Sequence, residues 1–302
     1  MRRILALAAA CALLFTGCSD STELGNRAII QALAVDYDGG YKLSALMFSS
    51  GGSGGDTIDA SQENVIRVTS EGATLAEAVD NLSLIDGKKI YMSETKLLIL
   101  GSGFTVSSAA DALKTLYFDM RCSLNMAVCC AENAASITEL RFTEGITSAE
   151  KPLSVIENGH ESGVSPKATL LDLLCDSVSN KTSEVPMLAI TENGSGMTSS
   201  DDGKTAVLNG SRTFRNGYLA ELHDSQKTQA LMLISGKSDK TTVNYVHDGA
   251  EKTCEAYCVK VKPNGDHWTV SARFRTRDGG RLSEGERKAA LDALGQIVEY
   301  GL

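Results

Sequence analysis

The chain is short of histidine, of tryptophan, of cationic excess and of long apolar runs, and each shortage removes a class of function. Four histidines serve 302 residues. None is near a convincing acid and no nucleophile–base pair emerges from the sequence, so no catalytic residue is assigned. Lys and Arg number 29 against 38 Asp and Glu, a formal charge of −9, which argues against nucleic acid as a partner. Beyond residue 18 no apolar run approaches the roughly 20 residues that cross a bilayer as a helix. Cys122, Cys129, Cys130, Cys175, Cys254 and Cys258 lack the dense spacing of a disulfide scaffold and read mostly as buried free thiols. Proline is scarce, and the 42% hydrophobic content is ordinary for a globular protein.

What is present begins at the N-terminus. Arg2 and Arg3 precede an apolar run over residues 4–15, then Thr16-Gly17-Cys18. The charge order, the short run and the small residues read as an export signal over residues 1–17. Its end resembles a bacterial lipobox, with Phe15 in place of the usual branched aliphatic residue. In such a sequence Cys18 is lipidated and becomes the first mature residue, so residues 18–23 form a lipidated tether. Losing residues 1–17 removes Arg2 and Arg3 and no acid, which takes the charge to −11 over 285 residues. An acidic body adheres poorly to anionic lipid by charge alone, leaving the acyl chain on Cys18 as the membrane attachment. ATP and nicotinamide chemistry fit this compartment badly.

A mature length of 285 residues suggests about two domains at roughly 150 residues each. Two apolar β-prone runs, 27–36 and 41–48, flank Asp38-Gly39-Gly40 and read as a hairpin. Strands are expected at 64–69, 95–100, 124–131 and 185–191. Thr74 to Glu77 is a capping-box match, with Leu75, Val79 and Leu82 on one helical face, and Ala109, Leu113, Leu116 and Tyr117 form a second stripe. Ser165-Pro166 reads as a helix start, followed by Leu170, Leu171, Leu174 and Val178 on one face. The Gly/Ser/Asp-rich stretch 193–203 is the expected linker. Beyond it come strands near 205–215, 241–247, 251–262 and 267–276, a helix near 225–234, and a last helix started by the Ser283 to Glu286 capping box. The fold class is α+β: a multi-domain chain of mixed β-sheets with packed helices and a shortened last domain. Its parts are 24–192, with a subdomain break near 140, and 204–302.

Several motifs fail on inspection. Gly51-Gly52-Ser53-Gly54-Gly55 matches the nucleophile-elbow pattern but lacks the strand-to-helix context that would expose Ser53. Gly101-Ser102-Gly103 sits where a dinucleotide fingerprint would, yet its third small position is Val106. Gly236-Lys237-Ser238 lacks the glycine of a phosphate loop at Leu231, and His160-Glu161 lacks the second zinc-protease histidine at Val164. His247, Cys254, Cys258 and His267 offer zinc-type ligands. Cys254 and Cys258 share one face of an extended strand but lie about 13 Å apart along it, so no metal or other cofactor is assigned.

The order of segments, rather than any one motif, resembles the Ger(x)C family, the lipoprotein C subunits of nutrient receptors that trigger bacterial spore germination. The similar segments are 23–30, 34–43, the glycine loop after it, 70–78, 88–101, 165–174, and 205–208 to 214–219. The chain departs from the family in lacking its opening tryptophan, in residues 117–123, and in ending at Leu302 where further strands usually follow. The resemblance implies a non-enzymatic subunit without cofactor, anchored by Cys18 to the outer face of the spore's inner membrane. Its implied partners are the receptor's integral-membrane A and B subunits. A solute-binding lipoprotein of a transporter is the alternative, disfavoured because only one interdomain crossing is evident; a secreted hydrolase using Ser53 or a cysteine has the least support.

Overall fold

The computed structural model describes residues 27–48, 65–140, 149–192, 203–264 and 267–302. Strands β1 (Arg27–Tyr37) and β2 (Tyr41–Phe48) form the expected hairpin, with Gly39 at φ 72° in the turn. β3 (Val65–Gly72) extends it. Helix α1 (Leu75–Asp86) begins where Thr74 accepts the N–H of Glu77. The reciprocal half of the cap falls one residue early, since the Glu77 carboxylate accepts from Ala73 instead of Thr74. β4 (Lys89–Tyr91) and β5 (Leu97–Leu100) then run parallel to β1.

A short 3-10 turn (Ser102–Thr105) and α2 (Ala109–Phe118) carry the chain to β6 (Ala127–Ala131), parallel to β5. Helices α3 (Ala134–Glu139) and α4 (Glu150–Glu161), the two-residue β7 (Ala168–Thr169) and α5 (Leu170–Ser179) lead to β8 (Thr182–Glu192), parallel to β6. β9 (Lys204–Arg215) and β10 (Tyr218–His223) close the far edge as antiparallel strands. The strand order is β10-β9-β8-β6-β5-β1-β2-β3, with β4 beside β1 and β7 beside β6.

This ten-stranded sheet is sandwiched between two helical layers. Ile30, Leu33, Val35, Leu98, Leu100, Val128 and Met187 face α1, α2 and α5. Ala32, Ala34, Leu97, Ile99, Ala127 and Cys129 face α3 and α4. The central strands are apolar on both faces, which is why 97–100 and 127–131 read as continuous hydrophobic runs. A bulge between Ile30 and Ala32 switches the side-chain parity of β1 and lets both halves of the strand feed the same two cores.

The second unit is a three-stranded antiparallel sheet, β11 (Lys240–His247), β12 (Ala250–Asn264) and β13 (His267–Arg275), with α7 (Glu284–Tyr300) on one face. Ala290, Leu294 and Val298 of α7 pack on Val243, Tyr245, Cys254 and Ala256. The Ser283–Glu286 capping box is complete in both directions. Between the units lies α6 (Ser225–Ile234), started by Asp224 and tied to the end of α7 by a 2.6 Å hydrogen bond from Tyr300 Oη to Asp224.

Three expectations are corrected. The expected linker 193–203 lies, except for its last residue, outside the described residues, but the strands that flank it, β8 and β9, pair with each other from Thr182↔Arg215 to Glu192↔Lys204, and the sheet changes only after α6. Ser165-Pro166 does not start a helix. α5 starts at Leu170 behind Thr169, whose hydroxyl and N–H exchange bonds with Asp172. The buried positions of α5 are Leu170 and Leu173, while Val178 is 78% exposed. Cys254 and Cys258 do not share a face: a bulge between Tyr257 and Lys260 puts Cys258 at φ 53° and in solvent, and Val259 takes the inner position.

Candidate functional site

In a parallel sheet ligands usually sit beyond the carboxyl ends of the strands. Here that position, above β1, β5 and β6, is filled by the chain itself. The Asp36 carboxylate accepts the N–H groups of Ala134 (3.4 Å) and Ala135 (3.2 Å) at the start of α3. Burial pushes its pKa up, and the two N–H donors act against that rise. A β-carbon at Gly101 would overlap Asp36 Oδ1, and one at Gly103 would overlap the Tyr37 carbonyl. The Gly-x-Gly turn therefore accommodates an internal carboxylate and backbone, and leaves no room for a phosphate.

At the opposite, amino ends of β5 and β6 lies a cleft of about 270 Å³. Ser93, Thr95, Lys96, Asn125, Glu157 and Lys167 line it. The hydroxyls of Ser93 and Thr95 are buried there without a hydrogen-bond partner among the described residues. Lys96 at its rim reaches Glu150 at 3.6 Å. Among the described residues no base contacts either hydroxyl, and the cleft offers these polar groups to a solute or water.

One hydroxyl–histidine–carboxylate cluster does form, contrary to the expectation that no histidine meets an acid. Glu184 accepts from Ser211 (2.7 Å) and Thr213 (2.8 Å), Thr213 Oγ1 meets His223 Nε2 at 2.9 Å, and Ser211 meets Thr228 at 2.9 Å. Because Thr213 gives its proton to Glu184, His223 must donate to Thr213 and cannot serve as its base. The cluster instead joins β8, β9 and β10 to α6. The pairing is invisible in sequence because β8 and β10 supply the two partners from 39 residues apart.

The remaining sequence-level candidates stay apart. His160 ends α4, its Nδ1 3.4 Å from the Ser165 carbonyl. All six thiols named above are free, and Cys122, Cys129, Cys130 and Cys254 are buried. Burial pushes Cys122 and Cys130 up to about 12, Cys254 to about 11, and Cys129 well above the ordinary thiol value. Among the described residues no three His, Cys, Asp or Glu side chains are grouped to hold a metal ion. No helix among them is long and apolar enough to cross a membrane. Cys18, Ser53 and the glycine loop lie outside the described residues.

Residues 20–190 match the family model described as the spore germination protein N-terminal domain. That span is more than half of the chain and covers β1 through most of β8. The chain belongs to the Ger(x)C family of spore germination proteins, as the order of its segments implied. Among solved structures it is similar to one described as the crystal structure of the GerBC protein. The two share 17% sequence identity and a TM-score of 0.46, with 89% of this chain and 78% of that chain covered. No curated protein matches the sequence.

Proposed function

We propose that this protein is the lipid-anchored C subunit of a nutrient germinant receptor. Cys18 carries the lipid and holds the subunit to the outer face of the spore's inner membrane. The body acts without catalysis, as an assembly and signalling component beside the integral-membrane A and B subunits. The observation that carries the reading is the family match over residues 20–190, starting two residues after the lipobox cysteine. The chain's own carboxylate and backbone in the usual ligand position of the sheet favour a structural role over turnover of a substrate. Against the transporter alternative, the chain passes between its two sheets once, after α6, whereas hinged solute-binding proteins close around a cleft between lobes.

The test is deletion of the gene in its host, followed by restoration of either the original sequence or Cys18→Ala. Nutrient-triggered release of spore contents is measured against a trigger that bypasses nutrient receptors. Loss of the nutrient response alone, rescued by the original and not by the alanine form, is the expected result. A Cys18→Ala protein that still fractionates wholly with membrane refutes the anchor. An unchanged nutrient response in the deletion strain refutes the receptor role.

A further inference from the structure

Strand β13 ends the second sheet, and no strand among the described residues pairs with its outer edge. Over nine residues, about 30 Å at the usual rise, alternate N–H and C=O groups on that edge point away from β12. The side chains beside the edge sort cleanly by face. Trp268, Val270, Ala272 and Phe274 form an apolar row on the α7 side, and all four are only partly buried. On the other face are Thr269, Ser271, Arg273 and Arg275, with Tyr257, Lys260 and Lys262 of β12 behind them.

That second face is cationic in an otherwise acidic protein. Residues 238–302 carry ten Lys and Arg against ten Asp and Glu, so the preceding residues hold the whole net charge of −9. Arg275 is paired with Glu255 at 2.8 Å and lies over the Tyr257 ring. Arg273, Lys260 and Lys262 have no acidic partner among the described residues.

Edge strands are commonly protected from pairing by an inward-pointing charge, a proline or a bulge on the strand itself. β13 has none of these. Its inner row is wholly apolar, and the one irregularity of this ladder lies on β12, between Tyr257 and Lys260. The only guard is the cationic outer row, and that guard discriminates by charge. Like charges side by side repel, whereas an acidic side chain opposite Arg273 or beside Arg275 is attracted.

From these features we infer that β13 is a strand-addition site for a protein partner. The occupant is an extended segment with alternating apolar and acidic residues. Its backbone completes the open edge. Its apolar side chains extend the row of Trp268, Val270, Ala272 and Phe274 over α7, and its carboxylates lie along Arg273, Arg275 and the β12 lysines. The inference rests on this surface alone and holds whichever protein supplies the strand, so it stands or falls separately from the receptor assignment.

The test uses the full chain reconstituted in phosphatidylcholine vesicles and the synthetic peptide acetyl-(Glu-Val)5-amide, with acetyl-(Lys-Val)5-amide as control. Trp268 is the only tryptophan, which makes it a native reporter on the strand. The acidic peptide is expected to blue-shift Trp268 saturably and to slow amide exchange over residues 267–275, and the basic peptide to do neither. Arg273→Glu should weaken the acidic peptide at least tenfold. Val270→Lys, which puts a charge in the apolar row, should do the same with the far-ultraviolet spectrum unchanged. Equal response to the two peptides, or protection elsewhere in the chain, overturns the proposal. So does protection of β13 by phosphatidylglycerol added to the vesicles, which makes the surface a lipid contact. Concentration-dependent protection without peptide overturns it too, as pairing between two copies.

Discussion

Replacing Gly163 by alanine tests how the two sheets are held together. Gly163 follows α4 at φ 68°, and a β-carbon there would overlap the backbone carbonyl of Lys240 at the start of β11. Its own carbonyl accepts the Thr241 hydroxyl at 3.2 Å, so the contact is bonded as well as close. Two costs follow from the substitution. Holding an L-residue in the left-handed region costs about 1–2 kcal/mol, and overpacking against a backbone atom that cannot rotate away adds roughly 1–3 kcal/mol. Gly87 is the matched control: its φ is 70°, but its β-carbon position has nothing within 4 Å. Gly87→Ala should therefore cost only the first amount, about 1 kcal/mol after the stiffer unfolded chain is allowed for, and Gly163→Ala, with the same allowance and the overpacking added, about 2–4 kcal/mol. Urea titrations followed by circular dichroism and by Trp268 emission read both quantities at constant slope. The Trp268 transition of Gly163→Ala should also precede the dichroism transition, because the tryptophan reports the unit that has been pushed off. If Gly163→Ala matches Gly87→Ala within about 0.5 kcal/mol, the contact with Lys240 does not join the units and the reasoning fails.

Two further outcomes follow from the site chemistry. Cys175 and Cys258 are exposed and the other four described thiols are buried with raised pKa values, so iodoacetamide at pH 8 should alkylate those two quickly and the rest only in denaturant; fast labelling of Cys129 or Cys130, read by peptide mass, contradicts the sheet packing. Glu286 is held down to about 2 by the Lys252 ammonium and by the Ser283 N–H and hydroxyl. Its contribution is complete above its ordinary value of 4.5 and is lost as pH falls toward 2, so Lys252→Met should move the acid unfolding of the second unit upward within that window, and an unmoved Trp268 transition counts against the pairing.

The sequence was most legible where one local signal decides an element. The Asp38-Gly39-Gly40 turn, the caps at Thr74 and Ser283, and the α6 stretch 225–234 all sit where local chemistry put them. Ser165-Pro166 misled because two adjacent signals competed. The Thr169–Asp172 box satisfies two backbone donors reciprocally, and residues 165–167 precede the short β7 as loop. The glycine-rich stretch 193–203 looked like a boundary because composition shows a break in regular structure and says nothing of which strands pair across it. Non-local pairings were the hidden part. The Glu184–His223 cluster and the Asp36 carboxylate over Gly101 arise from strand order, which no window of sequence contains. Nor could parity counting foresee the β12 bulge that separates Cys254 from Cys258.

The parallel centre of the large sheet also sets the order in which the chain can fold. Ala32 pairs with Leu97, Leu98 with Val128, and Cys130 with Met187, so each central strand waits for a neighbour separated from it by helices. The β11–β13 unit closes instead through adjacent hairpins. Contacts that span long loops form slowly. A chain emerging from its N-terminus thus leaves β6 without its second parallel neighbour until residues past 182 have appeared. That strand is buried at every position once paired, and the time between its emergence and the arrival of β8 is when this protein is most exposed to aggregation and proteolysis.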